Sequence, residues 1–481
     1  MDDKQILVTN PPAFVTSLNK DSDRLDCAWF NPVAENEMES LVKNKRDDRQ
    51  LIKLESIAKV TGGKRLPSGT VISENDPDDI PYVRVVDIKD LKVDMHSAVR
   101  IPKKVHQLIQ NYQLKQNDIV ITIVGATIGK VGILDYPVEV CDFTENMARI
   151  RINDDSVLTR FLLHYLDSQF GKIQSDRMSG GSSQFKLSLR SCRDLEIYIP
   201  FKNGSIDTAE QHNILNKIYV IHEQINSKKV QSDKLINDAK NILVKKIGLP
   251  ITLDINKNPS FLQAVDNDPY SRLDALFNNP LREKLLKTLQ TYPHKLLGKL
   301  IKPDDKSEIV LSDFYRLVDL EQIDENTGRI SHFREVPELG SEKILIKSGS
   351  ILISKLQPDK GKVVIVESGF DGCVGSSELM SFSLNTTEVT KEYLWAALRS
   401  NYILKQWEYS LTGSSRMRIG RRELNETIIP IPDKNLQDEI VNEIKGNIFA
   451  SDNLLKELGA LRLQAKKEFV TMLTGHQEAV K

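Results

Sequence analysis

Residues 209–248 read AEQHNILNKIYVIHEQINSKKVQSDKLINDAKNILVKKIG, and this stretch decides the fold. Its apolar and small residues fall at Ile214, Ile218, Ile221, Ile225, Leu235, Ala239 and Ile242, the four-then-three spacing that aligns side chains on one stripe of a long helix. Lys228 and Ser232 break the stripe. Residues 435–475 repeat the arrangement with Ile440, Ile444, Leu454, Leu458, Leu461 and Ala465, broken by Asn447 and Ser451. Both runs end in glycine, Gly248 and Gly475, the residue that tolerates the left-handed turn closing a helix.

The two helices are expected to pair antiparallel. Setting Lys228 against Ser451 and Ser232 against Asn447 places Ile221 on Leu458, Ile225 on Leu454 and Leu235 on Ile444, so that like meets like. A parallel alignment would press Lys228 onto Leu454 and Ser232 onto Leu458, burying polar groups without partners. A coiled coil of about 38 residues per helix spans roughly 57 Å, the length of roughly 17 base pairs of duplex. The alternative is two unrelated amphipathic helices, each lying on its own domain.

The 481 residues are 40% hydrophobic and 28% charged, which gives room for about three or four domains of ordinary composition. No apolar run of membrane-spanning length and no export signal is found, so no membrane partner and a cytoplasmic location are expected. Cys27, Cys141, Cys192 and Cys373 are too far apart for a metal or redox motif, which fits a reducing compartment. A net charge of −1 leaves nucleic-acid binding open, because that needs local clusters of cations.

Outward from the helices, the chain reads as two copies of one unit. After a tail over residues 1–20, Arg24-Leu25-Asp26 and Asn31-Pro32 return as Arg272-Leu273-Asp274 and Asn279-Pro280. Tyr82 to Ile88 matches Phe314 to Leu320 at an offset of 232, taken as 316 minus 84, and Leu114 to Val131 aligns without a gap on Ile346 to Val363. The β-branched runs Asp118 to Val124 and Ser350 to Leu356 read as buried strands. A helix follows each, Thr159 to about Arg177 and Thr390 to about Ser410, with Thr at the N-cap. Gly181-Ser182-Ser183-Gln184-Phe185-Lys186-Leu187 then matches Gly413-Ser414-Ser415-Arg416-Met417-Arg418-Ile419, before short strands over Glu196 to Pro200 and Thr427 to Pro432. The expected fold class is α/β, more narrowly α+β. Globules over 1–208 and 249–432 would each be followed by a long helix, 209–248 and 433–481, and related by a pseudo-two-fold repeat.

This layout, with GGSSQFKL and TGSSRMRIG running into IYIP and IIPIP and then the glutamine-containing helices, resembles the specificity subunit of Type I restriction–modification systems. The likeness runs from about Arg24 to Gly475, and DDIPYVRVVD, residues 78–87, resembles the opening of that family's target-recognition domain. The resemblance implies a non-catalytic subunit whose two target-recognition domains each read one half of a split, asymmetric duplex DNA sequence. It also implies that the helices set the spacing and dock two methyltransferase subunits, with endonuclease-translocase subunits joining them. S-adenosylmethionine, ATP and magnesium would then belong to the partners, and this chain would hold no cofactor or metal.

The residues offer chemistry for such a role. Hydroxyls, backbone N–H groups and cations supply most phosphate contacts, which nominates Ser182, Ser183, Lys186, Arg190, Ser414, Ser415, Arg416, Arg418 and Arg421, with Arg193 and Arg422 nearby. The other reading is that these residues fasten each globule to its helix. Base edges are read by long polar side chains on loops, which nominates Lys64, Arg65, Asn75, Gln357 and Lys360. Arg84 and Arg316 recur in both copies, which suits a shared structural or phosphate role.

Catalytic motifs fail on inspection. Asn10-Pro11-Pro12-Ala13-Phe14 lacks the aromatic that would stack on a base. Gly125 to Val131 is one residue short of a phosphate-binding loop and lacks its magnesium-binding hydroxyl, so it reads as strand-turn-strand. Asp78, Asp87 and Lys89 would make a nuclease-like set, but Lys89 corresponds to Glu321. The rival functions are a DNA-recognition module of another phage-defence complex and a coiled-coil scaffold that binds no DNA.

Overall fold

The computed structural model describes residues 46–72, 79–180, 185–250, 277–305, 308–413 and 417–475. The segment 1–20, both Arg-Leu-Asp punctuation marks, Cys27 and Asp78 lie outside them. The chain divides into two compact units, Met1–Asn226 with Gly459–Lys481 and Ser227–Leu458, so each long helix contributes a part to each unit.

The main sheet of the first unit has six strands, in the order Ala58–Gly62, Met147–Ile152, Ile119–Thr122, Val131–Ile133, Lys92–Val93 and Ile88–Lys89. Ile119, Val120 and Ile121 are wholly buried, which explains why this central strand runs apolar over three successive residues, up to the buried Thr122, instead of alternating. A small sheet places Ile80–Val83 between Val99–Ile101 and Asp142–Phe143, parallel to the latter. A third pairs Arg49–Lys53 with Glu196–Lys202.

The second unit strings Ile301–Pro303, Leu379–Leu384, Ile351–Ser354 and Val363–Ile365 in the corresponding order. Tyr315–Val318 lies between Arg334–Val336 and Val374–Ser376, again parallel to the latter, and His294–Leu296 pairs with Ile428–Pro430. Its core gathers Trp395, Ile403, Leu404 and Trp407 with Ile242, Ile440 and Ile444 from the long helices.

Each expected helix after the strands is two helices. Thr159–Asp167 and Gln169–Met178 meet at Ser168, and Lys391–Leu398 and Asn401–Glu408 meet at Arg399 and Ser400. Ser168 and Ser400 are extended, and each hydroxyl donates to the carbonyl three residues earlier, at 2.6 and 2.7 Å, drawing that acceptor away from the helix. Thr390 caps its helix by accepting from Tyr393 N, whereas Thr159 is already inside the helix behind an N-cap at Leu158.

The long helices are Thr208–Lys246 and Lys434–Thr474, closed by Gly248 at φ 73° and Gly475 at φ 80°. In the second unit their segments run in opposite directions. Ser232 and Ser451 hydroxyls share a buried hydrogen bond of 2.7 Å, Lys228 pairs with Glu457, and Lys246 lies 3.2 Å from Glu443. The register is about one turn away from the expected one, since Ser232 meets Ser451 instead of Asn447. Lys228 reaches outward to a carboxylate and does not face Ser451.

The seam is also partly redrawn. Ile214, Ile218, Ile221, Ile225, Ile440, Ile444 and Leu458 are buried, but Leu235, Leu454 and Leu461 are only half-buried, and Ile236 and Ile448 are buried instead. The cause is the globule: the stripe serves it as well as the second helix, which rotates the buried face toward residues such as Trp395 and Leu404.

Candidate nucleic-acid interface

In the first unit Ala58–Gly62 and Ile119–Thr122 end where Met147–Ile152 and Val131–Ile133 begin, so the loops over 63–65, 123–130 and 144–146 emerge at one end of the sheet. They lock together through the main chain. Gly63 N donates to Met147 O at 3.1 Å, Lys64 N to Phe143 O at 3.0 Å, and Ile123 N to Asn146 O at 2.8 Å. A Cβ at Gly63 would lie 2.1 Å from Thr144 O, so only glycine allows this approach.

The hairpin of Ser179–Gly180 with Lys186–Leu187 joins the same end, with Leu187 N donating to Ile123 O at 2.9 Å and Val124 bridging to Lys186. Lys64, Arg65 and Lys186, predicted from distant segments, therefore converge. Arg65 Nε donates to Glu145 Oε1 at 2.5 Å, and Thr144 Oγ1 donates to Glu145 Oε2 at 2.9 Å. Burial pushes the Glu145 carboxyl up, but its hydrogen bonds, led by Arg65, outweigh that and hold it below its ordinary range. Lys64 Nζ stands 5.8 Å over the Tyr112 ring.

The second unit builds a comparable end. Gln357 adopts the left-handed conformation, φ 46°, ahead of Pro358, and its N donates to Met417 O at 3.0 Å. Ile419 N donates to Lys355 O at 3.0 Å, and Leu356 bridges to Arg418. Gln357, Lys360 and Arg418 thus share one loop cluster. Arg418 donates from Nε and Nη2 to the two Glu378 oxygens at 3.1 and 2.7 Å, a fork that raises the guanidinium pKa further. With Glu378 against it, Arg418 is the cationic half of an ion pair and not an uncompensated phosphate-binding charge.

The remaining candidates sit elsewhere or lie beyond description. Asn75, Ser182, Ser183, Ser414, Ser415 and Arg416 fall outside the described residues. Arg190 and Arg421 are exposed on the short helices Leu189–Arg193 and Arg421–Asn425. Arg84 binds the buried Asp87 carboxylate through Nε and Nη2, each at 3.1 Å, while Arg316 donates to Asp371 O at 2.7 Å and lies 5.4 Å over the Phe333 ring. Their recurrence in sequence is not a recurrence of partners.

Two carboxylates that hold nominated arginines were not foreseen, Glu145 and Glu378. Sequence offered no shared signal for them, because in the strand register Glu378 corresponds to Asn146 and Glu145 to Ser377. Asp87 is taken up by Arg84, and Lys89 by Asp94 at 2.7 Å, which dissolves the nuclease-like set. Among the described residues no group of three His, Cys, Asp or Glu side chains is placed to hold a metal. Cys141, Cys192 and Cys373 are free and buried, and burial pushes the Cys192 thiol up to about 12. No helix among the described residues is long and apolar enough to cross a membrane.

Against known families, residues 46–237 match the model of the Type I restriction modification DNA specificity domain. The Type I restriction enzyme EcoBI specificity subunit of Escherichia coli is 28% identical over 162 residues, 34% of this chain and 32% of that protein. The HindI specificity subunit of Haemophilus influenzae is 29% identical over 117 residues, 24% of this chain and 25% of that protein. These alignments span about a third and a quarter of the relatives' lengths. Among solved structures, the S subunit of a Type I system from M. genitalium aligns over 89% of this chain and 96% of its own at 12% identity and a TM-score of 0.39. A structure described by complex assembly and conformational transition of the type I R-M system covers 89% and 98% at 12% identity and a TM-score of 0.43.

Proposed function

We propose, from the match of residues 46–237 to the model of the Type I restriction modification DNA specificity domain, that the whole chain is the non-catalytic specificity subunit of such a system. Each unit reads one half of a bipartite, asymmetric duplex target, and the long helices set the spacing between halves and dock two methyltransferase subunits. Endonuclease-translocase subunits complete the restriction assembly. S-adenosylmethionine, ATP and magnesium act on those partners.

The observation that carries this reading is the second unit. It lies almost wholly beyond the matched span, yet its strands follow the order of the matched first unit. Gln357, Lys360 and Arg418, nominated from sequence, also gather with loop backbone at one end of its main sheet, where polar side chains and backbone N–H groups can meet a duplex. Two readers on one chain call for a target in two parts. The antiparallel segments in the second unit, with Ser232 on Ser451, support a coiled-coil spacer.

The test is a map of methylated adenines in the genome of a host carrying this chain with its methyltransferase. A two-part motif with a fixed gap, lost when this chain is deleted, is the expected result. A continuous motif, or methylation indifferent to the deletion, refutes the assignment.

A further inference from the structure

Glu145 and Glu378 lie on corresponding loops, those that enter Met147–Ile152 and Leu379–Leu384, at positions one residue apart, and each holds an arginine from a different part of its unit. Arg65 comes from the loop after Ala58–Gly62, and Arg418 from the segment bridged to Leu356. We propose that Arg65 and Arg418 each read a guanine, one in each half of the target, and that Glu145 and Glu378 are the positioning residues that aim them. The proposal deepens the DNA-recognition reading above and rests on it.

The geometry suits the task. Glu378 grips Arg418 along its Nε and Nη2 edge, and Glu145 grips Arg65 at Nε while being braced by Thr144 Oγ1. A guanidinium held at Nε has its plane fixed, with its terminal nitrogens directed along the side chain, and that terminal fork is what donates twice to guanine O6 and N7. The exposures follow the same logic: the arginine side chains are 80% and 42% exposed, whereas each glutamate is 29% exposed, so the cation is the outer member and the carboxylate its inner support.

The carboxylate has a second effect. A negative charge beside the guanidinium opposes a phosphate arriving at the same place, so the couple favours a base edge over the sugar-phosphate backbone. Such a couple trades general affinity for discrimination. A lone lysine at either place would do the reverse.

The experiment uses the full chain assembled with its methyltransferase, and duplexes in which each base pair of the wild-type target is replaced in turn. Arg65→Ala is expected to abolish the preference for G·C at one position of one half-site, a loss of about 5- to 150-fold in discrimination, and to leave the other half unchanged. Arg418→Ala does the same in the opposite half. Glu145→Gln and Glu378→Gln, which keep side-chain size, relax the same positions in part, a readout that a merely structural role would not produce. A uniform drop with every preference intact makes these arginines phosphate contacts and overturns the proposal, as does unchanged discrimination at all positions or a half-site without a G·C pair. A wild-type assembly that distinguishes no duplex sequence fails the DNA-recognition reading instead.

Discussion

The two units hold their long helices by the same device and fill their interiors by different ones. Gln211 and Gln437 are both wholly buried in the first turns of the long helices. Gln211 accepts from Leu158 N at 2.9 Å, and Gln437 from Thr390 N at 3.0 Å, while their amides donate to Ser156 O and Glu388 O, each at 2.9 Å. Gln174 and Gln406 likewise exchange hydrogen bonds with the backbones of Glu196 and Ile428. A buried amide facing main chain depends on the fold alone, so it survives when the side chains around it change. Where contacts run between side chains the units diverge: His106 binds the buried Asp142 at 2.7 Å in the first, and the corresponding position in the second is Val374.

The contrast breaks most visibly at the centre of the second unit. Trp407 is wholly buried and donates to Thr427 Oγ1 at 2.9 Å, whereas the matching residue of the first unit is Ser175, which donates to Gly171 O at 2.8 Å. Trp407→Ala should therefore cost about 3–5 kcal/mol through the cavity it leaves. Ser175→Ala should cost about 1 kcal/mol or less, because the carbonyl it abandons already belongs to a helix. Chemical denaturation of the full chain checks this, and equal losses would mean that the two cores are packed alike despite their side chains.

Acid sharpens the same contrast from the other side. The His164 and His222 rings lie 5.1 Å apart in the first unit, with Phe469 6.0 Å from His164, whereas the matching residues of the second unit are Ala396 and Ile448. Burial first, then the charges of His222, Arg160 and Lys466, push the His164 pKa down to about 3. The folded chain thus keeps the ring neutral while the unfolded chain protonates it near the ordinary value of about 6.5. This contribution is whole above that value and is lost as the pH falls toward 3, by about 1.4 kcal/mol per unit. His164→Phe should flatten the fall in denaturation midpoint between neutral pH and pH 5; a fall of unchanged slope would place the acid-sensitive group elsewhere.

What the sequence disclosed follows the range of the interactions involved. Period, strand runs and helix-closing glycines are local, and the long helices end within a few residues of expectation. The register was hidden because Ile440 and Ile444 are shared between a helix partner and a globule, and a single stripe cannot say which of two neighbours sets its phase. The breaks at Ser168 and Ser400 were hidden because the apolar pattern runs through them while one hydroxyl turns the chain. In the candidate interface the cations were legible as residue types, but Arg65 meets Glu145 across 80 positions of sequence, a pairing that only folding discloses.

The double variant at Ser232 and Ser451, with the smallest effect expected, is the most exacting test of the helix pairing in the second unit. Ser232 and Ser451 satisfy each other in a buried position, so Ser232→Val alone strands the Ser451 hydroxyl and should cost about 1–3 kcal/mol. Ser451→Val alone should cost the same, for the mirror reason. The double variant removes donor and acceptor together and places two branched apolar side chains against each other, so its loss should be close to zero. A double-mutant cycle on denaturation midpoints reads the coupling directly. Additive losses would mean that the two hydroxyls do not depend on each other, and the antiparallel register drawn through them would have to be redrawn.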